Sequence, residues 1–242
     1  QEMPLKTIMQ SKIKEEKAKQ MEIKPQRIED LSPEKKKAVM ERSMEDISSI
    51  YEDMRRIVDD VKSRGDAVAL EHYHKHKKDI APPDLEVTKE EIAEAYKQVE
   101  PNVVDCLKTA AKNISKFHRA QLEREMWSIE VRDGILAGRI TRAMDIVGCY
   151  VPGGTAAYPS SVLMTVLPAR VAGVGQIVAV TPPSKGMTAN PATLVAADIA
   201  GCKQIFKVGG PWGIAGLAYG TETMPKVDKI VGPGNKYVTA AK

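Results

Sequence analysis

Ile146-Val147-Gly148-Cys149-Tyr150-Val151, breaking into Pro152-Gly153-Gly154, is the stretch on which the reading of the fold turns. A short apolar run rich in β-branched residues reads as a strand buried on both faces, because a half-exposed strand would alternate apolar with polar residues. The same unit recurs toward the C-terminus. Further runs cover Gln176 to Thr181, Gln204 to Val208 and Lys229 to Val231, and alanine-rich helical stretches lie between them at Ser160 to Ala172, Pro191 to Ala200 and Gly213 to Tyr219. Strands alternating with helices imply a parallel sheet covered on each side, so the expected class is α/β.

Working back toward the N-terminus, the texture changes. All but one of the 17 glycines lie from Gly134 onward, the exception being Gly65. Ser128 to Ile140 carries Ile129 and Val131 in alternation around Asp133-Gly134, a favoured two-residue hairpin turn. Upstream the chain is charged and helical. Val103 to Met126 reads as one amphipathic helix, with Val104, Leu107, Ala111, Ile114, Phe117 and Leu122 along its apolar side. Thr88 and Glu91 form a capping box that launches Ile92 to Val99, and Pro101 stops it. Ala67 to Tyr73 is a short helix after the break at Gly65-Asp66. Ser32-Pro33-Glu34 opens a helix whose apolar positions Met40, Met44, Ile47, Ile50, Met54, Ile57, Val58 and Val61 make one stripe.

Length and charge bound what such a chain does. At 242 residues it is long enough for one large domain or two smaller ones, and 28% charged against 43% hydrophobic residues is the balance of a globular protein. No apolar run reaches the length of a membrane span. Much of the net charge of +4 arises in residues 1–37, where ten bases face seven acids. Acids interleave with those bases and no aromatic residue accompanies them, so the stretch reads as a solvated helical face rather than a nucleic-acid surface. Cys106, Cys149 and Cys202 are odd in number and share no metal-type spacing, which fits a reducing, cytoplasmic setting. Gln1 to Lys24 lacks the apolar core of a secretory signal.

In parallel sheets the ligand crevice lies beyond the carboxyl ends of the strands. Three glycine- and proline-containing loops fall there: Tyr150 to Gly154, Val208 to Trp212 and Gly232 to Asn235. Glycines let backbone amides approach a diphosphate, so the three loops together point to a dinucleotide or phosphate site. The usual Rossmann fingerprint is absent: there is no GxGxxG, and the second strand runs into Thr181-Pro182-Pro183 with no acid for a ribose hydroxyl.

These blocks, together with Pro159 to Met164 and Gly220-Thr221-Glu222 followed by Pro225 to Asn235, closely resemble the histidinol dehydrogenase family, from about Ile47 to Lys242. Arg64 to Ala67 and Asn113 to His118 resemble its helical segments. The resemblance implies an NAD-dependent zinc enzyme of histidine biosynthesis that oxidises L-histidinol to L-histidine through the aldehyde, as a cytoplasmic homodimer without nucleic-acid or membrane partners. It implies incomplete Rossmann-like domains: a helical arm over residues 1–46, part of a first domain over 47–145, a second, NAD-side domain over 146–235, and a returning helix over 236–242. By motif it places cofactor contacts at Tyr150, Pro152, Trp212, Pro233, Gly234 and Asn235. Trp212 departs from the glutamine usual at that place, and either stacks on a flat ring of the ligand or seals the loop against the core. The family's acid/base pair and zinc ligands are expected downstream of Lys242, so no catalytic or metal residue is carried over and the chain as given is expected to be inactive alone. Two other readings stay open: a dehydrogenase of the same scaffold acting on another small alcohol, and a non-catalytic binding or assembly protein.

The remaining candidates have ordinary explanations. His72, His74 and His76 alternate among Lys75, Lys77 and Lys78, and read as an exposed helix end rather than a metal site; His118 reads as a boundary histidine. Cys149 lacks a neighbouring base or cation and reads as strand packing rather than a nucleophile. Glu222 and Asp228 read as caps at the sheet end rather than a carboxylate pair.

Overall fold

The computed structural model describes residues 25–41, 48–153 and 157–242. By its contacts the chain divides into two compact units, Gln1–Asp46 and Ile47–Lys242. The first contains a 3-10 turn, Ile28–Asp30, and helix α1, Pro33–Glu41, none of whose residues is buried. The Ser32 hydroxyl accepts the Lys35 amide at 3.3 Å, as its position before the proline predicts. Of the stripe expected to run to Val61, Met40 lies in α1 and Ile50, Met54, Ile57, Val58 and Val61 lie in helix α2, Ser48–Arg64; Met44 and Ile47 lie outside the described residues.

The second unit is built on a four-stranded parallel sheet of order β5-β4-β3-β6: β3 is Ile146–Tyr150, β4 Gln176–Val180, β5 Gln204–Phe206 and β6 Lys229–Val231. Before it come α3 (Asp66–His76), α4 (Lys89–Gln98), α5 (Pro101–Ala120) and an antiparallel hairpin, β1 (Met126–Arg132) with β2 (Ile135–Ile140). Between and after the sheet strands run α6 (Pro159–Val171), α7 (Pro191–Ala200), α8 (Gly210–Tyr219) and α9 (Lys236–Ala241).

The both-faced burial of the strands is direct. Val147, Cys149, Ala179 and Ile205 enter one core with α6 and α7, while Tyr150, Val178, Val180 and Phe206 enter a second with α8 and α9. Helices α4 and α5 pack outside α6 and α7, and α2 and α3 against α8, so the front helices complete the layers of the same sheet. The β5 edge is covered as well: Val87 N–H donates to Ile205 and Lys207 N–H to Leu85, adding an antiparallel bridge that removes an exposed row of backbone groups.

Two local expectations change. Helix α5 ends at Ala120 instead of Met126, because Met126 pairs with Ile140 in the hairpin ladder; Phe117 and Leu122 are 63% and 55% exposed, beyond the part of α5 that α6 and α7 cover. Pro101, besides ending α4, is the first residue of α5, where its missing N–H costs nothing. The capping box forms as expected, with Glu91 N–H donating to Thr88 Oγ1 at 3.1 Å and Thr88 N–H to Glu91 Oε2 at 2.8 Å. The hairpin turns at Gly134, whose φ is 76°, and leaves Trp127, Ile129 and Val131 exposed.

Candidate functional site

Because the four strands are parallel, their carboxyl ends share one rim, and a cleft of about 450 Å³ opens there. Every strand contributes to its lining: Tyr150 and Gly153 after β3, Pro182 and Pro183 after β4, Gly209 to Trp212 after β5, and Asn235 with Tyr237 after β6. The rest of the lining comes from the front segment, with Met54 of α2, His72 and Tyr73 of α3, Lys77 just after α3, and Ile80.

The glycines serve close packing among these loops. A Cβ on Gly153 or Gly209 would stand 2.8 or 2.7 Å from the Pro182 ring, so the first and second loops both close on the proline that follows β4. Gly232, with φ of 127°, passes so near the end of β3 that a Cβ would lie 2.1 Å from the Tyr150 carbonyl oxygen.

The amides of the second loop were expected to face a ligand, and here the structure differs. Gly209 N–H donates to the Tyr73 hydroxyl at 3.0 Å, and Gly210 N–H to the Tyr150 hydroxyl at 3.1 Å. Pro211, next in line, has no N–H. The donors presented by this loop are therefore two phenols rather than two amides. Burial raises both phenol pKa values, so both hydroxyls stay protonated while accepting from the loop. An O–H whose oxygen accepts a hydrogen bond is a stronger donor in turn.

The six residues expected to contact a cofactor separate into two groups. Tyr150, Trp212 and Asn235 line the cleft; Pro152, Pro233 and Gly234 lie in the same loops but outside its lining. Asn235 Oδ1 accepts Val238 N–H at 3.2 Å as the cap of α9, leaving its amide NH2 as the polar group toward the cleft. Trp212 packs against residues of two core clusters, including Val61, Val68 and Ala215, and one face of its indole stacks on the His72 ring at 3.7 Å between centroids, 25° from parallel.

His72 is the residue that sequence reasoning placed wrongly. Its i, i+4 partner His76 does stand on the same helix face, 5.5 Å away between rings, but His72 turns inward and is half-buried. Burial, with the charges of His76 and Lys77 adding, pushes its pKa down to about 4, so the ring is neutral near pH 7. The available signal was its position one residue before Tyr73 on the apolar side of α3.

Below the second loop, Lys207 is 2% exposed and its ammonium contacts Glu91 Oε1 at 3.1 Å and Oε2 at 3.0 Å. This ion pair anchors the root of Gly209-Gly210 to the start of α4. Cys149 is fully buried and burial lifts its thiol to about 11, which leaves no thiolate for chemistry. Glu222 accepts Asp66 N–H at 2.9 Å and Asp228 accepts Ile146 N–H at 2.8 Å, each acting as a cap. Among the described residues no cluster of three or more His, Cys, Asp or Glu side chains is arranged to hold a metal ion, and no helix is long and apolar enough to cross a membrane.

Comparison with known proteins bears on residues 40–242, which match the family model described as histidinol dehydrogenase. The histidinol dehydrogenase of Methanocaldococcus jannaschii is 47% identical over 216 residues, covering 89% of this chain and 50% of the relative. That of Clostridium acetobutylicum is 49% identical over 205 residues, covering 85% of this chain and 47% of the relative. A crystal structure of histidinol dehydrogenase from Elizabethkingia anophelis superposes with a TM-score of 0.76 at 38% identity, over 80% of this chain and 44% of that one. The chain spans about half the length of the curated relatives it matches.

Proposed function

The chain belongs to the histidinol dehydrogenase family, and on that premise we propose that its cleft is the NAD-binding side of an enzyme that oxidises L-histidinol to L-histidine. The observation that carries the proposal is the convergence of Tyr150, Trp212 and Asn235 on one cleft at the carboxyl ends of all four strands. A dinucleotide suits the donor set. The walls supplied by Met54, Ile80 and Pro182 are apolar and take flat rings, while the Tyr73 and Tyr150 hydroxyls, the Asn235 amide and Lys77 supply donors to hydroxyl and phosphate oxygens.

Bound NAD would supply the hydride acceptor. This chain's residues hold and orient it: the tyrosines are fixed by the glycine amides, the glycine loop is anchored by Lys207 and Glu91, and Pro182 sets the spacing of the loops. Zinc, which the family implies, finds no fitting donor set among the described residues. Assembly as a cytoplasmic homodimer belongs to the same reading.

Calorimetric titration of the chain with NAD tests the site. Saturable binding that weakens in Tyr150→Phe supports it, and no binding by the unmodified chain overturns it. The substrate assignment is tested separately, by following NAD reduction in a protein of full family length with histidinol and zinc, against other small alcohols; activity confined to another alcohol would replace histidinol in the proposal.

A further inference from the structure

Among the cleft-lining residues His72 combines three properties that its neighbours lack together. Its ring is held in a fixed plane by the Trp212 indole. It lines the cleft, beside the second glycine loop whose Trp212 it touches. Among the described residues neither of its ring nitrogens makes a hydrogen bond, although the side chain is half-buried. Both nitrogens keep access to solvent, so water completes them in the free chain until a ligand group entering the cleft takes its place.

The neighbours restrict what that ligand group is. The Tyr73 ring stands edge-on to it, and among the described residues the one cation lining the cleft beside it is Lys77. A neutral imidazole offers one donor and one acceptor, a set that suits hydroxyl and ring-amide groups and is poorly matched to a phosphate. We propose that His72 is a specificity-determining residue that hydrogen-bonds the uncharged nucleoside part of the bound dinucleotide, with Trp212 acting as a positioning residue that fixes the imidazole plane. The inference rests on the proposal that this cleft takes NAD. It assigns to α3, a helix of the front segment, a direct role in choosing the ligand.

The experiment compares NAD binding by the chain and three variants. His72→Phe retains a ring to stack on Trp212 but removes the hydrogen bond, and weakens binding about tenfold, the scale of one well-placed hydrogen bond. His72→Gln loses the stacked ring but keeps a donor and an acceptor, and stays within about threefold of the unmodified chain. Trp212→Leu, which frees the imidazole to rotate, falls between them. Near-UV circular dichroism and melting temperature check folding. In the unmodified chain, NAD shifts the nitrogen resonances of the His72 imidazole, a readout that needs no variant.

A role in packing alone gives the opposite order, with His72→Phe unchanged and His72→Gln weak, and overturns the inference while leaving the NAD site standing. So do imidazole resonances that stay put at saturating NAD. Absence of NAD binding by the unmodified chain overturns the site and the inference together, and is distinguished from the other outcomes by that control alone.

Discussion

Replacing Glu91 by glutamine removes half of a buried ion pair at the root of the Gly209-Gly210 loop while leaving a side-chain acceptor for the Thr88 amide. Lys207 Nζ lies 3.0 Å from Glu91 Oε2. At that separation and an effective dielectric constant of about 20, the attraction is about 5 kcal/mol, comparable with the desolvation of the two ions, so the intact pair contributes little net stability. Breaking it is a different matter. A glutamine oxygen still accepts from Thr88 and from the ammonium but does not neutralise a lysine that is 2% exposed. The expected loss is about 3 kcal/mol, at the low end for a broken buried pair because the Glu91 side chain is 22% exposed and water reaches that end. Lys207→Met, which leaves the partly solvated partner, costs about 1 kcal/mol, and the double variant recovers about 2 kcal/mol relative to the sum of the singles.

Urea unfolding followed by far-UV circular dichroism measures all four members of this cycle. A loss below about 0.5 kcal/mol for Glu91→Gln, or additivity of the two substitutions, would falsify the reasoning. The pH dependence has a definite sign. Burial pushes the Glu91 carboxyl up, but donors that include the Thr88 amide and the Lys207 ammonium outweigh it and hold the folded pKa below the ordinary 4.5. The carboxylate's contribution is therefore complete above about pH 4.5 and is lost as pH falls through the folded value, so the gap between Glu91→Gln and the unmodified chain narrows in acid.

Three further outcomes are expected. Tyr73→Phe leaves the Gly209 amide without its acceptor, lowering stability by about 1–3 kcal/mol and speeding exchange of that amide; unchanged exchange refutes the hydroxyl contact. Because the folded chain keeps His72 neutral down to about pH 4 while the unfolded chain protonates it near 6.5, stability is complete above pH 6.5 and falls between 6.5 and 4. Solvent screening of the half-exposed ring reduces this to about 1 kcal/mol, and it is read as a difference from His72→Phe that grows between pH 7 and pH 5. Only Cys106 is exposed, and burial lifts Cys149 and Cys202 to about 11 and about 12, so the native chain titrates one thiol with a disulfide reagent at pH 8 and the urea-unfolded chain all three.

The alternation of apolar strand with helix after Ile146 was sufficient to fix the class of fold, because a strand apolar on both faces has no stable place except between two covering layers. The Thr88–Glu91 cap and the Asp133-Gly134 turn were equally legible, since each depends on contacts within a few residues. From the same strands followed the shared rim, and with it the gathering of Tyr150, Trp212 and Asn235. Tertiary structure alone decided what the glycine amides bind. Tyr73 lies far from Gly209 in the chain, and nothing local to either shows that the phenol takes the donor a phosphate was expected to use. The orientation of His72 was hidden for the same reason: three alternating histidines among lysines look solvated until Trp212, brought in by α8 as it packs on α3, offers one of them a stacking face. Local sequence carries local hydrogen bonds and periodic burial; which distant side chain completes a polar group is settled only when the layers close.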